Sequence, residues 1–265
     1  MSNSYNVLYD HLFLRKNKNH NISVFISGAE QSGTTWCSLS IAHALNQEKQ
    51  KVLFVDANGN FSNANSYLPI NNDLYVEDYI RGNKTINQIL YAYKNKNFNL
   101  LVAKSGGKFL HSMQMGRINI FTEDLMFLAD DYDHTIIDVE ADNIEKTLSL
   151  CQIANNIILV CSENNANITK TFELIRKLNE SNIDANFYLI INKVNSFEDG
   201  FKVYEKLCKA SDRTSLKYPD LLGIIRLDTR VRDTIKNKEL LLTRYPTSEA
   251  ASDIKNIARK ICMEK

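Results

Sequence analysis

The first residues with evident chemistry form a loop that can hold a phosphate group. Gly28 and Gly33 keep the spacing of the motif G-x-x-x-x-G-K-[ST], and Ser32, Thr34 and Thr35 add hydroxyl groups beside them. Such a loop presents backbone N–H groups and the positive end of a helix dipole to an anion. In the common form a lysine contacts the β- and γ-phosphates and the last hydroxyl residue binds Mg²⁺. Thr35 fills the hydroxyl position, but Thr34 replaces the lysine.

Two carboxylates fall where a magnesium site beside this loop would need them. Ile22–Ser27, an apolar run typical of a buried strand, leads into the loop, and a helical pattern follows from Trp36. Asp56 and Asp138 close two further apolar runs. Binding sites of α/β proteins form at the carboxyl ends of strands, so both carboxylates are candidates for a metal role. Because oxygen ligands suit Mg²⁺, Thr35, Asp56 and Asp138 are the predicted metal ligands.

Apolar runs and helical patterns alternate along the whole chain. The predicted strands are Ile22–Ser27, Val52–Asp56, Leu100–Lys104, His134–Asp138, Asn156–Cys161, Asn186–Ile191 and Leu221–Arg226. The predicted helices are Trp36–Gln47, Thr85–Tyr93, Thr122–Asp130, Ile144–Ile153, Ile168–Leu178, Phe201–Ala210 and Ala250–Ile261. Continuously apolar strands that alternate with helices predict an α/β fold, with a doubly wound, mostly parallel sheet covered by helices on both faces.

Composition excludes several classes of protein. The net charge of +1 provides no basic field, so no nucleic-acid partner is expected. The five cysteines are scattered without a C-x-x-C pair, which favours reduced thiols over a disulfide framework or a zinc site. No secretory leader and no apolar run of membrane-spanning length is seen. We therefore expect a cytoplasmic protein.

The chain divides into a short arm and one domain. Residues 1–20 are predicted to be an N-terminal arm with a basic tip, and residues 21–265 one domain, since no Gly- or Pro-rich linker interrupts them. The stretch Ser248–Met263 places Ile254, Ile257 and Ile261 on one helical face. We expect this helix to pack on the domain, and so no stable membrane anchor.

Five segments in a fixed order carry a resemblance to a known family. They are ISGAEQSGTTWCSLSIAHAL, KVLFVDANGNFSNAN, HTIIDVEADN, YLIINKV and LLGIIRLDTRVRDTI. The series resembles the MinD/ParA family of deviant-Walker P-loop ATPases, and within it the FlhG (FleN) branch that controls flagellar number and placement. The resemblance implies a SIMIBI-like P-loop fold, ATP or ADP with Mg²⁺ as ligand, polar placement in the cell, and protein partners from flagellar or polar-organelle assembly.

The loop departs from the pattern of the family that it resembles, S-G-K-G-G-x-G-K-T-T. Ala29 stands at the signature lysine, which in the family reaches the nucleotide of a partner subunit, and Thr34 at the Walker lysine. Glu30 and Gln31 replace two glycines, and Glu30 adds a negative charge. A like-charge approach at about 4 Å costs on the order of one to a few kcal/mol even at a solvated site. We expect ATP and ADP binding to be weak or lost, without a nucleotide-dependent homodimer.

The hydrolytic positions depart as well. Asn58 stands at the aspartate that positions the attacking water in the family, and an amide takes up no proton. Asp142 stands at a glycine whose N–H contacts the γ-phosphate, and Glu140 adds a further carboxylate. No catalytic residue is therefore predicted. On the base side, the resemblance implies nucleotide contacts for Asn192 and Asp228.

Three functions remain open at this stage. The leading hypothesis is a pseudo-ATPase that keeps the fold and acts as a regulator or scaffold in flagellar or polar-organelle placement. The first alternative is a working ATP-dependent switch whose missing charge a partner supplies. The second is an assembly factor for pili, secretion or cellulose, similar to CpaE or BcsQ. Trp36, where the family has a small residue, is expected either beneath the sheet or in the vacated phosphate pocket.

Overall fold

One sheet organises the protein. The computed structural model describes residues 21–58, 64–104, 110, 113–139, 144–211 and 216–263. The strands are β1 (Ile22–Ile26), β2 (Val52–Asp56), β3 (Tyr91–Ala92), β4 (Phe98–Leu101), β5 (His134–Asp138), β6 (Asn156–Ser162), β7 (Asn186–Val194) and β8 (Asp220–Arg226). The described strands form one sheet of 8, in the order β3-β4-β2-β5-β1-β6-β7-β8.

The pairing confirms the predicted α/β fold with a mostly parallel sheet. Every pair is parallel except β3 with β4, which is antiparallel. Strand β1 lies between β5 and β6, so the chain winds to one side of β1 first and to the other side later. Ligands of open α/β sheets bind outside the carboxyl ends of the strands at this reversal. The loop after β1 lies at that position.

Helices cover both faces of the sheet. They are α1 (Thr34–Gln47), α2 (Val76–Ile80), α3 (Met115–Ala129), α4 (Ile144–Gln152), α5 (Asn165–Glu180), α6 (Phe197–Ser211), α7 (Thr229–Lys236), α8 (Leu241–Arg244) and α9 (Glu249–Met263), with 3-10 turns at Ala64–Ser66 and Ile86–Ile89. One core joins the sheet to α1, α8 and α9, and the other joins it to α3, α4, α5 and α6. Of the described helices, none is both long enough and apolar enough to span a membrane.

The predicted helix Thr85–Tyr93 is wrong. Ile86–Ile89 forms a 3-10 turn, and Tyr91 then pairs with Leu100 as the edge strand β3. The neighbouring strand spans Phe98–Leu101 and not the predicted Leu100–Lys104, because Phe98 pairs with Val52 on its other side. These pairings are tertiary contacts, so the local periodicity could not reveal them. Helix α3 likewise begins at Met115 and not at Thr122, since the buried Ile118 extends its apolar face by a full turn.

The C-terminal helix packs as predicted. In α9, Ile254, Ile257 and Ile261 are buried in the core that also contains α1. Trp36 lies in the same core and is 8% exposed, which confirms the expected position beneath the sheet. Residues 1–20, with the predicted basic tip Arg15, Lys16 and Lys18, lie outside the described residues.

Candidate functional site: a phosphate-binding loop and a buried carboxylate pair

The loop after β1 has the predicted strand–loop–helix form. Gly33 caps the N-terminus of α1 with φ 87°, a left-handed conformation that favours glycine. A Cβ atom on Gly33 would lie 2.5 Å from Nδ2 of Asn192, and one on Gly28 would lie 2.3 Å from the carbonyl oxygen of Lys170. Both positions therefore require glycine, because β7 and α5 approach the loop so closely.

Hydrogen bonds within the loop hold its backbone in place. The hydroxyl groups of Ser27 and Ser32 both donate to the carbonyl oxygen of Ala29, at 3.0 and 2.8 Å. Gln31 adopts φ 60°, which a side chain disfavours. Its side chain is exposed, as is that of Glu30, so the added carboxylate faces solvent at the mouth of the loop.

The predicted metal ligands come together beneath the loop. The Thr35 hydroxyl donates to Oδ2 of Asp138 at 2.6 Å, and that of Ser38 lies 3.3 Å from the other carboxylate oxygen. Asp56 lies opposite Asp138 in the pairing of β2 with β5. Backbone N–H groups of Asn58 and Ala64 donate to the Asp56 carboxylate at 3.2 and 2.8 Å. Both aspartates are fully buried.

The electrostatics of this pair favour a cation. Burial raises the pKa of Asp56 well above its usual range, and the nearby Asp138 raises it further, while the two backbone N–H donors oppose the shift. Two buried carboxylates beside a hydroxyl form an all-oxygen donor set of the kind that Mg²⁺ takes. The residues present thus fit Mg²⁺, with Thr35, Asp56 and Asp138 as its holders.

The hydrolytic position holds an amide that is already engaged. Nδ2 of Asn58 donates to the Thr35 hydroxyl at 3.2 Å, and the side chain is buried. The amide thus supports the threonine and supplies no carboxylate to a water molecule. Thr34 is also buried, and its side chain carries no cation. Glu140 and Asp142 lie outside the described residues, so the predicted effect of Asp142 stays a prediction.

Strand β7 contacts the loop through two successive residues. The side-chain amide of Asn192 donates to the carbonyl oxygen of Ser32 at 2.8 Å. Nζ of Lys193 donates to the carbonyl oxygen of Gln31 at 2.6 Å. Sequence reasoning named Asn192 but missed Lys193, although the N-K pair adjoins the predicted strand. A nucleotide contact by Asn192 stays a prediction, and the contact that the structure places there is with the loop.

The Asp228 side chain is engaged at the start of a helix. It caps α7, since its carboxylate accepts a hydrogen bond from the backbone N–H of Arg230 at 2.9 Å. Its predicted role as a nucleotide contact stays a prediction. Arg226, at the end of β8, donates its backbone N–H to Asp253 at 3.0 Å, and its guanidinium binds the same carboxylate.

The fold and the site define an α/β protein with a phosphate-binding loop, and comparison with known proteins identifies the family. The AAA_31 profile, described as an AAA domain, matches residues 28–191, more than half of the chain. The chain therefore belongs to this family of AAA domains.

Individual relatives are distant. The antiactivator FleN of Pseudomonas aeruginosa is 25% identical over 236 residues, which cover 86% of this chain and 81% of FleN. The MinC:MinD cell division complex of Aquifex aeolicus contains a chain that superimposes with TM-score 0.75 at 19% identity, covering 92% of this chain and 96% of that one. The septum site-determining protein MinD of Pyrococcus horikoshii, complexed with Mg-ADP, gives 0.71 at 19% identity, covering 91% and 95%. The structural matches establish a MinD-like fold.

Proposed function

We propose that this protein is a MinD-like regulator that has lost ATP hydrolysis and acts through protein contacts in flagellar or polar-organelle placement. One observation carries the proposal. The Asn58 amide, at the position of the water-activating carboxylate, is buried and bound to the Thr35 hydroxyl. Thr35 in turn donates to Asp138. The side chains beside the metal site therefore hold one another and include no general base at position 58.

The charge of the loop supports the same proposal. The two lysine positions of the family hold Ala29 and Thr34, and Glu30 adds a carboxylate at the mouth. Transition-state charge in phosphoryl transfer is stabilised by cations that face the transferred group. Loss of both loop lysines removes most of that stabilisation, whereas the metal-side oxygens are retained. The protein therefore still binds Mg-nucleotide, with reduced affinity, but does not hydrolyse it.

The proposed role in flagellar or polar-organelle placement is inferred from similar proteins. FleN is named an antiactivator, and MinD of Aquifex aeolicus is found in complex with the protein MinC. We infer that the partners of this chain are proteins of flagellar or polar-organelle assembly.

Calorimetric titration with ATP·Mg²⁺ and ADP·Mg²⁺ tests the nucleotide part of the proposal. We expect dissociation constants of roughly 100 µM or weaker, and further weakening in Thr35→Val, which removes the metal-side hydroxyl. Thr34→Val is the matched control, since it removes the neighbouring hydroxyl from a position that holds no metal in this scheme. A low-micromolar constant for ATP that is lost in Thr35→Val would overturn the nucleotide part of the proposal, because the site would then bind ATP without the lysines of the loop.

A further inference from the structure

Lys193 is turned toward the phosphate loop by an irregularity in β7. Successive side chains of a regular strand point to opposite faces of the sheet. Asn192 and Lys193 are successive, yet both donate hydrogen bonds to the same loop, to Ser32 and Gln31. The pairing of β7 with β8 shifts register between Asn192 and Val194, and Lys193 adopts φ 61°. A bulge of this kind re-aims a side chain, and here it brings an ammonium group to the loop.

The two residues joined by this contact are both strained. Gln31 has φ 60° and Lys193 has φ 61°, and neither is glycine. Non-glycine residues in this region persist where surrounding contacts hold them, and they cluster at functional sites. The bond between the Lys193 ammonium and the Gln31 carbonyl, at 2.6 Å, is the contact that links them.

The charge of Lys193 lies beside the N-terminus of α1, where the helix dipole favours an anion. Its Nζ lies 3.7 Å from the position that a Cβ atom on Gly33, the cap of α1, would occupy. Burial raises the pKa of the Cys37 thiol, in the first turn of α1, above its usual range, while Lys193 opposes this shift and Asp138 adds to it. Within the described part of the chain, the ammonium pairs with no carboxylate and donates to the Gln31 carbonyl. An ammonium has three donors, so two remain for a ligand.

We propose that Lys193 supplies, from the neighbouring strand, the positive charge that Thr34 no longer provides to the phosphate loop. It anchors the loop through Gln31 and stabilises the phosphates of a bound nucleoside diphosphate or triphosphate. The inference rests on the proposed function, because it names the cation of the same nucleotide site. The contact between Lys193 and Gln31 also explains how the loop keeps its geometry without the two lysines of the loop.

Two substitutions separate charge from shape. Lys193→Met keeps the length of the side chain without its charge, and Lys193→Arg keeps the charge. Lys177→Met, at an exposed lysine of α5, is the matched control. We expect Lys193→Met to weaken ADP·Mg²⁺ binding at least 10-fold and AMP binding less than 3-fold, while Lys193→Arg and the control stay within 3-fold of wild type. Equal weakening of ADP and AMP would overturn the proposal, since a residue that only shapes the site does not sense the number of phosphates.

Hydrogen exchange of the loop amides, measured without nucleotide, gives an independent readout. Exchange at residues 29–33 is expected to quicken at least 10-fold in Lys193→Met and to stay near wild type in Lys193→Arg and Lys177→Met. Unchanged exchange in Lys193→Met would contradict the anchoring role. If wild-type protein binds neither ADP nor AMP at millimolar concentration, the nucleotide part of the proposed function fails. The role of Lys193 toward bound phosphates then fails with it, and the exchange result decides the anchoring role by itself.

Discussion

At the scale of single residues, the site depends on the Thr35 hydroxyl. It donates to Asp138 at 2.6 Å and accepts from the Asn58 amide at 3.2 Å, and all three side chains are buried. One hydroxyl thus joins the end of β5 to the segment after β2. When a buried partner is removed, the remaining polar groups stay desolvated without a hydrogen bond. The free energy of unfolding then falls by more than the net contribution of one hydrogen bond.

Replacement of Thr35 by valine keeps the shape and removes this junction. We expect Thr35→Val to lower the free energy of unfolding by about 1–3 kcal/mol, because Asp138 and Asn58 both lose a partner. Thr34→Val, one residue earlier and also buried, is expected to cost about 0.5 kcal/mol or less. Urea unfolding of both variants at pH 7 measures the difference. Equal losses would show that the hydroxyl network is not the source of the effect.

At the scale of elements, α1 packs on the sheet through a buried histidine. The His43 ring stacks on Phe98 of β4 at 6.3 Å, and its Nδ1 is without a hydrogen-bond partner in the described structure. Burial, together with the nearby positive charge of Lys94, lowers the pKa of His43 from 6.5 to about 4. Because the folded pKa lies below the unfolded one, the unfolded chain takes up the proton first as the pH falls.

The packing of α1 on β4 should therefore weaken in mild acid. Stability is expected to fall between pH 6.5 and about 4, by up to about 3 kcal/mol from this group. In His43→Leu this part of the loss is absent, since leucine binds no proton. Urea unfolding at pH 7 and pH 4.5 gives the comparison. An equal acid loss in wild type and His43→Leu would contradict the assignment.

Some of the strands and helices could be predicted from the sequence. Strands β2 and β5 were predicted with their observed ends. Each is a short, mostly apolar segment that ends at an aspartate, and this pattern is typical of a buried strand. The phosphate loop was predicted from its glycine spacing between a strand and a helix, and the metal role of Asp56 and Asp138 from their places at strand ends and from the family resemblance. Helix Thr85–Tyr93 was wrong because β3 exists only through its pairing with β4.

Other features depend on contacts between distant residues. The approach of Lys193 to the loop requires a bulge in β7, and no local pattern encodes that irregularity. Asp228 resembled a nucleotide contact by its place after β8, yet an aspartate before a helix equally serves as its cap. Residue identity and order therefore predicted the position of the site, whereas the direction of individual side chains needed the structure.

At the scale of the whole molecule, the question is whether nucleotide brings two copies together. In the family that the sequence resembles, the lysine at the position of Ala29 crosses to the nucleotide of the partner subunit. Ala29 has no charge to offer, and it is only 8% exposed. The dimer interface would therefore bring two sets of phosphates together without those cations.

We accordingly expect no change of mass on addition of ATP. Light scattering of the full chain with and without millimolar ATP·Mg²⁺ should give the same molecular mass. Ala29→Lys combined with Thr34→Lys restores both loop cations and is the variant in which an ATP-dependent increase would first appear. A doubling of mass for the wild-type protein in ATP would show that another cation replaces the signature lysine.

The rate of phosphate release from ATP·Mg²⁺ by the wild-type protein shows whether ATP hydrolysis has been lost. We expect a rate equal to that of Asp138→Asn, in which the metal-side carboxylate pair is broken. Thr34→Lys alone should stay at that background, since Asn58 still replaces the carboxylate and Glu30 still opposes the phosphates. The sixfold variant Ala29→Lys, Glu30→Gly, Gln31→Gly, Thr34→Lys, Asn58→Asp and Asp142→Gly should exceed it. Wild-type release well above the Asp138→Asn background would identify a working ATPase and rule out a pseudo-ATPase.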